Sequence, residues 1–202
     1  KSSSDGSKLF HVNHWGAASS PYNTNYGGWK GSDFRYDILG STKTAPSGYG
    51  STALTSRVGY DAPADTATSP VANTLMAALP SDLRAVMKPI TKYTDNKGNS
   101  SNAAANVTAS VDYLPLLSEF EVFGKRSYAN LTEQNYQKQY AYFIAGNAKV
   151  KYQHSSNALT SFWYTRSPYY SNPAGNCVVH SNGASYYTST RISYGLAPVF
   201  MV

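Results

Sequence analysis

The chain has 202 residues, a formal charge of +6, only 14% charged side chains and 18 tyrosines. That length fits one domain with a proper core, or one domain plus an arm. The aromatic content argues against a disordered chain, no apolar run reaches the ~18 residues of a membrane span, and the scattered Lys and Arg argue against nucleic acid.

The chain opens at Lys1 rather than Met, as a processed or excised N-terminus would, and KSSSDGSK reads as a flexible lead-in. KLFHV at 8–12 fits a short strand. Residues 1–24 are therefore expected to form a lead-in with a first strand, and residues 25–202 the domain proper. Ser32 suits an N-cap, Asp33 a first turn, and Phe34, Ile38 and Leu39 share one face before Gly40, which predicts a helix over 32–39. Residues 41–68 lack large apolar residues and read as a long loop. Ser69-Pro70 places an N-cap and an N1 proline before the helix-like VANTLMAAL. Pro80-Ser81 starts a second helix along Leu83, Val86, Met87 and Ile90, which Pro89 should end near Lys88.

Residues 94–110 form a polar, hairpin-like excursion, and Tyr113–Leu117 a short strand. SEFEVFG is one helical turn with Ser118 as cap and Gly124 as stop. The strongest helical pattern runs from Asn130 to Ala145. Asn130 and Glu133 resemble a capping box there, and Tyr136, Tyr140, Phe143 and Ile144 form an apolar stripe. Strand-like runs follow at 148–152, 160–165, 176–180, 185–193 and 197–202. The order predicts an α+β class, with small antiparallel sheets drawn mainly from the C-terminal third, two to four helices and long loops.

Chemistry-bearing residues are sparse. His11 and His14 are three apart, and His154 and His180 are isolated, with no Cys or acid at ligand spacing, so no metal site is expected. Asp95-Asn96-Lys97-Gly98-Asn99 lacks the spaced acids of a calcium loop and reads as a solvated turn. The single cysteine, Cys177, permits no intrachain disulfide and sits in a CVV run that suits an inert core thiol. Cys177 and His180 would point to opposite faces of a strand with no acid nearby. Glu119 with Glu121, and Asp33 with Asp37, are explained by helix capping and solvation rather than by glycoside hydrolysis. Trp15, Trp29 and Trp163 could serve as sugar platforms, but the apolar neighbours of Trp29 and Trp163 favour the core. Arg35 and Arg166 are expected to make internal hydrogen bonds through their five fixed donors. The chain is therefore read as non-enzymatic, without cofactor.

The acids are unevenly placed. Glu133 is the last carboxylate side chain, while Lys138, Lys149, Lys151, Arg166 and Arg191 follow it, so the C-terminal third reads as uniformly positive and suited to anionic partners.

Four landmarks line up as a set: GGWKGSDFR at 27–35, LRAVMKPITK at 83–92, LLSEFEVFG at 116–124, and TRSP at 165–168 followed by CVVHSNG and GLAPVF. Over about residues 25–202 the chain resembles a bacterial and phage family of largely unassigned function with a C-type-lectin-like fold. That family is related to formylglycine-generating enzymes and to the variable proteins of diversity-generating retroelements. Two departures stand out: FWYTRSP replaces a W-L-R-S-P element, so that Tyr164 rather than Trp163 takes the Trp slot, and Ala197 stands where the family usually has Arg. A lone Cys177 does not supply the cysteine pair of the formylglycine-generating enzymes. The calcium motifs of sugar-binding lectins are missing too.

The retroelement branch implies a C-terminal face built from the residues that adenine-rich codons scatter into. Tyr164, Tyr169, Tyr170, Ser171, Asn172, Asn176, Ser185, Tyr186, Tyr187 and Thr188 fit that palette. Tyr gives large contact area at little rotamer cost, and Ser and Asn give adaptable hydrogen bonds. The resemblance implies a receptor-binding protein on a virion or cell surface. Its partner would be a host-surface protein or glycan, with no nucleic acid and no membrane insertion. The alternative is a virion assembly protein using the same loops between subunits; the oligomeric state is left open.

Overall fold

The computed structural model describes residues 8–9, 25–30, 32, 35, 67–72, 74–98, 100–153, 156–190 and 192–202. The predicted helix at 32–39 lies largely outside these residues, as do the loop over 41–66 and His11, His14, Trp15, His154 and Arg191. The class is α+β, with short helices and small antiparallel sheets. In chain order the strands and α-helices are β1 (Lys8–Leu9), α1 (Leu75–Ala78), α2 (Ser81–Val86), β2 (Ile90–Asp95), β3 (Val107–Asp112), α3 (Glu119–Phe123), α4 (Ala141–Ile144), β4 (Lys151–Gln153), β5 (Ser156–Ser161), β6 (Trp163–Pro168), β7 (Gly175–Val179), β8 (Ser185–Ser189) and β9 (Ser193–Tyr194).

β6, β7 and β8 form a three-stranded antiparallel sheet with β7 in the centre. Three two-stranded pairs surround it: β2 with β3, β4 with β5, and β1 with β9. The C-terminal third does supply most strands, as its apolar runs predict. The excursion at 94–110 is shorter than expected, because β2 extends to Asp95 and β3 begins at Val107, in register Asp95 opposite Val107. The helix predicted after Ser69-Pro70 starts only at Leu75, with Thr74 Oγ1 accepting from the Ala77 N–H as N-cap. α2 ends where Pro89 requires.

α3 forms as predicted. Ser118 Oγ accepts from the Glu121 N–H, Glu121 accepts from the Ser118 N–H, and Gly124 closes the helix at φ 67°. The long helix predicted over 130–145 does not form. A 3-10 segment (Leu131–Tyr136) is followed by extended Gln137, at φ −127° and ψ 153°, and only then by the four residues of α4. The break places Gln137 where tertiary bonds need it: its Nε2 donates to Tyr93 O, and its Oε1 accepts from Ser118 Oγ. Phe143 packs inward, while Tyr136 and Ile144 are exposed, so the predicted stripe is not a buried face.

The core has two clusters. Trp29, Met76, Met87, Leu114, Leu116, Tyr164 and Val178 form one; Leu117, Val122, Phe143, Trp163 and Val179 form the other. Trp29 and Trp163 are core residues, as their neighbours predict. Tyr164, expected on the binding face, is 0% exposed, and its hydroxyl donates toward Ser189 O and Ile192 O. Phe200, in the strand-like run at 197–202, is exposed.

Buried polar bonds hold all four sequence landmarks, the first fixed on Asp112 and the other three meeting at Glu121. Trp29 Nε1 and Arg35 Nε both donate to Asp112, at 2.8 and 2.7 Å. Arg166, fully buried, donates to Thr94 Oγ1, Leu116 O and Glu121, and Lys92 Nζ donates to the other Glu121 oxygen at 2.7 Å. Both arginines are thus internal, as their donor count predicts. The turn after β2 is not a solvated one. Asp95, Asn96 and Gly98 are buried, and Gly28, at φ +52°, lies so close that a Cβ would stand 1.9 Å from Asp95 O.

Candidate functional site

The Tyr-rich connections converge on one surface. β6 ends at Pro168, and the turn that follows is held by main-chain bonds from Tyr169 N to Gly175 O and from Gly175 N to Asn172 O. Asn172 Oδ1 accepts from the Ala174 N–H. From far away in the sequence, the Asn25 amide donates to the carbonyls of Tyr169, Asn172 and Gly175. Gly175 has no room for a side chain, since a Cβ would stand 2.9 Å from the Tyr169 ring. β8 is the outer strand of its sheet and pairs on one side only, so Tyr186 and Tyr187, of opposite parity, both reach solvent at 45% and 37% exposure.

The rings interlock. Tyr169 stacks on Tyr187 at 4.3 Å, Tyr186 on Tyr187 at 5.4 Å, and Tyr170 meets Tyr169 edge-on at 5.7 Å. Such ring pairs each contribute about 0.5–1.5 kcal/mol beyond area burial. Tyr128 sits among them, 5.1 Å from Tyr187, 5.8 Å from Tyr169 and 6.5 Å from Tyr186. Arg126 lies 3.9 Å over the Tyr170 ring. The aromatic run continues from Tyr186 to His180, Phe162 and Tyr194. Among the described residues, the hydroxyls of Tyr169, Tyr170, Tyr186 and Tyr187 have no hydrogen-bond partner.

Glu119 organises this surface from beneath. Its buried carboxylate accepts from the N–H groups of Ser127, Tyr128 and Ala129 and from Ser185 Oγ. One side chain thus ties the Tyr128 segment to β8, and charge-assisted bonds of this kind are the strong ones. The role differs from the capping and solvation expected of Glu119. Burial, then the Glu119 carboxylate and the neighbouring tyrosines, push the Tyr128 phenol above its ordinary value.

The predicted site residues divide. Tyr169, Tyr170, Ser171, Asn172, Tyr186 and Tyr187 lie together with some or much of their surface open. Ser185 is half-buried on Glu119. Tyr164, Asn176 and Thr188 are buried, which corrects their placement on the face. Tyr164 belongs to the first core cluster. Asn176 faces inward from the central strand, and neither atom of its amide has a partner. Thr188 alternates inward from Tyr187. Sequence reading missed Tyr128, Arg126, His180 and Phe162. KRSYAN, directly after α3, carries the same mixture of Tyr, Ser, Asn and basic residues as the closing stretch, and that composition was the available signal.

A second feature lies beside the Lys92–Glu121–Arg166 network. A pocket of about 240 Å³ is lined there by residues of β2, the Leu131–Tyr136 segment and the extended stretch after it, Lys92, Tyr136, Lys138 and Tyr140 among them. Burial alone would raise Glu121, but Arg166 and then Lys92, by charge and hydrogen bond, hold it down to about 2. Nearby Glu133 is pushed up to about 7 by complete burial, against hydrogen bonds from Asp95 N and Ser167 Oγ. Three of the acids, Glu119, Glu121 and Glu133, thus fold onto the C-terminal third, which is not uniformly positive in the folded chain.

Cys177 is wholly buried, and desolvation raises its thiol well above the ordinary value. His180 Nδ1 lies 3.3 Å from Ser181 Oγ. Among the described residues, no group of three or more His, Cys, Asp or Glu could hold a metal ion, and no helix is long and apolar enough to cross a membrane.

These features define a mixed α+β domain with an aromatic face and a small polar pocket. Residues 67–202, more than half of the chain, match the family described as Domain of unknown function (DUF6273), and the chain belongs to that family. Comparison with curated proteins and with solved structures gives no match.

Proposed function

We propose that this protein is a non-catalytic, receptor-binding module with a C-type-lectin-like scaffold, displayed on a virion or cell surface. It grips a host-surface protein or glycan through the face of Tyr128, Tyr169, Tyr170, Tyr186 and Tyr187. One observation carries the reading: these rings form a contiguous, partly open surface, and four of their hydroxyls have no hydrogen-bond partner among the described residues. A tyrosine surface of this kind offers contact area with little side-chain entropy to lose. The scaffold reading is supported by the landmarks of the resemblance, whose Lys92, Glu121 and Arg166 share one buried polar network while Trp29 and Arg35 share Asp112. The Tyr, Ser and Asn palette of 169–172 and 185–187 supports membership among retroelement-diversified binders; sibling sequences varying at those positions and constant at Glu119, Glu121 and Arg166 are expected.

The test is binding to intact host cells and to a glycan array by wild type and by the quadruple Tyr→Ala variant at 169, 170, 186 and 187. Binding is expected to disappear while the variant still unfolds cooperatively, at a Tm lowered by the lost ring pairs, whereas Tyr164→Ala alone, which opens a cavity in the core, should collapse the Tm. Retained binding, or a collapse of the quadruple variant, refutes the reading. The alternative of a virion assembly protein draws on the exposed apolar end, Phe200, Met201 and Val202. Light scattering showing a closed oligomer that buries the tyrosines would favour it.

A further inference from the structure

The pocket beside Lys92 is unlike the aromatic face. Its lining combines three cations, Lys92, Lys138 and Arg166, with a single carboxylate, Glu121. Glu121 already bonds both Arg166 and Lys92, at 2.5 and 2.7 Å, so the trio retains one positive charge and exposed Lys138 adds another. The donors are not exhausted. Lys92 Nζ gives one proton to Glu121 and one to the Tyr140 hydroxyl at 2.8 Å, which leaves its third proton unassigned among the described residues. The Tyr140 oxygen accepts that bond, so its own proton is turned to another acceptor, and none is present among the described residues. Lys138 makes no ion pair among the described residues either. At the rim, Tyr93 and Tyr136 stack at 4.7 Å, and both are exposed.

A positively charged recess with three spare donors matches a compact oxyanion. We infer that the pocket formed by Lys92, Lys138, Tyr140 and the Tyr93–Tyr136 pair is a second binding site, taking the carboxylate or phosphate group of a small molecule. The oxyanion sits between Lys92 Nζ, Tyr140 Oη and Lys138 Nζ, and the remainder of the ligand lies against the tyrosine pair. A volume of about 240 Å³ is below the range of drug-sized sites, which limits the ligand to a small one. Arg166 contributes charge rather than contact, because its donors are committed to Thr94, Leu116, Glu121 and Tyr93. The site is independent of the receptor-binding reading and shares none of its residues.

The experiment titrates the intact chain with sodium acetate, sodium benzoate and inorganic phosphate, against sodium chloride at matched ionic strength. Calorimetry gives the affinity, and NMR of the labelled lysine ammonium groups gives the location. Saturable binding in the millimolar range that moves the Lys92 signal is expected. Binding of the carboxylates alone or of phosphate alone assigns the class, and benzoate exceeding acetate places the ring against Tyr93 and Tyr136. Tyr140→Phe, which keeps the ring and the Lys92–Glu121 pair, should weaken binding roughly tenfold, as loss of one hydrogen bond to a charged group does. Lys138→Ala should weaken it by less, and Tyr186→Ala should leave it unchanged. No saturable binding beyond the chloride control, or binding indifferent to both Tyr140→Phe and Lys138→Ala, overturns the inference.

Discussion

Replacing Glu133 by Gln should flatten the dependence of stability on pH. Glu133 is buried under the Asp95 N–H, which donates to Oε1 at 2.9 Å, while Ser167 Oγ lies 2.6 Å from Oε2. Burial raises its carboxyl from 4.5 to about 7, so the folded chain keeps the proton over a span in which the unfolded chain loses it. The stabilising contribution is fully present below about pH 4.5 and is lost as pH rises through about 7. A gap of about 2.5 pH units at about 1.36 kcal/mol each amounts to about 3 kcal/mol, a large part of a typical domain stability of about 5–15 kcal/mol. A glutamine mimics the protonated acid: its carbonyl accepts from Asp95 N, and its amide donates to Ser167 Oγ. Urea unfolding followed by the fluorescence of buried Trp29 and Trp163 measures both proteins across the range. The two should differ by less than about 1 kcal/mol near pH 5, and Glu133→Gln should be the more stable by about 2–3 kcal/mol near pH 8.5. Asp95, raised mainly by burial, acts in the same direction but is common to both proteins. Parallel curves would refute the argument, since they would mean that Glu133 ionises alike in both states.

The neighbouring acid should behave oppositely. Glu121→Gln keeps the cap on α3, because Gln serves at that position, yet strands Arg166 and Lys92 without a counter-charge; a loss of about 3–5 kcal/mol in urea unfolding is expected. In the wild type, this contribution is present above pH 4.5 and lost as pH falls through about 2, and acid titration of the fluorescence should show it. Gly28→Ala forces a Cβ to within 1.9 Å of Asp95 O at a positive φ, so the turn after β2 must move; circular dichroism melting should show a Tm lower by about 10 °C or more.

What could be read from sequence was local. Ser118, Glu121 and Gly124 sit next to the helix they define, so α3 is legible in seven letters. Arg35 and Arg166 announce internal bonds because a guanidinium beside core aromatics must be satisfied somewhere. Where a residue's partner is remote, the letters mislead. The stripe of Tyr136, Tyr140, Phe143 and Ile144 has helical spacing, but Ser118 and Tyr93, far away in sequence, draw Gln137 out of the helix. Asp95 to Gly98 looks like a solvated turn until the Gly28 backbone closes over it. The aromatic face follows the same division. Its tyrosines stand out by composition, yet Tyr164 falls in the core because β6 is buried along its length, and Tyr128 joins because Glu119 gathers its backbone.

Asn25 grips the 169–175 turn through main-chain carbonyls, those of Tyr169, Asn172 and Gly175 with its side-chain amide and that of Pro173 with its N–H, atoms that every amino acid possesses. The turn's shape is therefore dictated by a residue about 150 positions away and is largely indifferent to which side chains Tyr169, Tyr170 and Ser171 carry. Such a clasp separates two demands that usually compete in evolution. Substitutions at the tips can change the side chains displayed there while the main-chain course is kept, whereas Asn25, which holds the carbonyls, and Gly175, where a Cβ would stand 2.9 Å from the Tyr169 ring, change only by moving the turn.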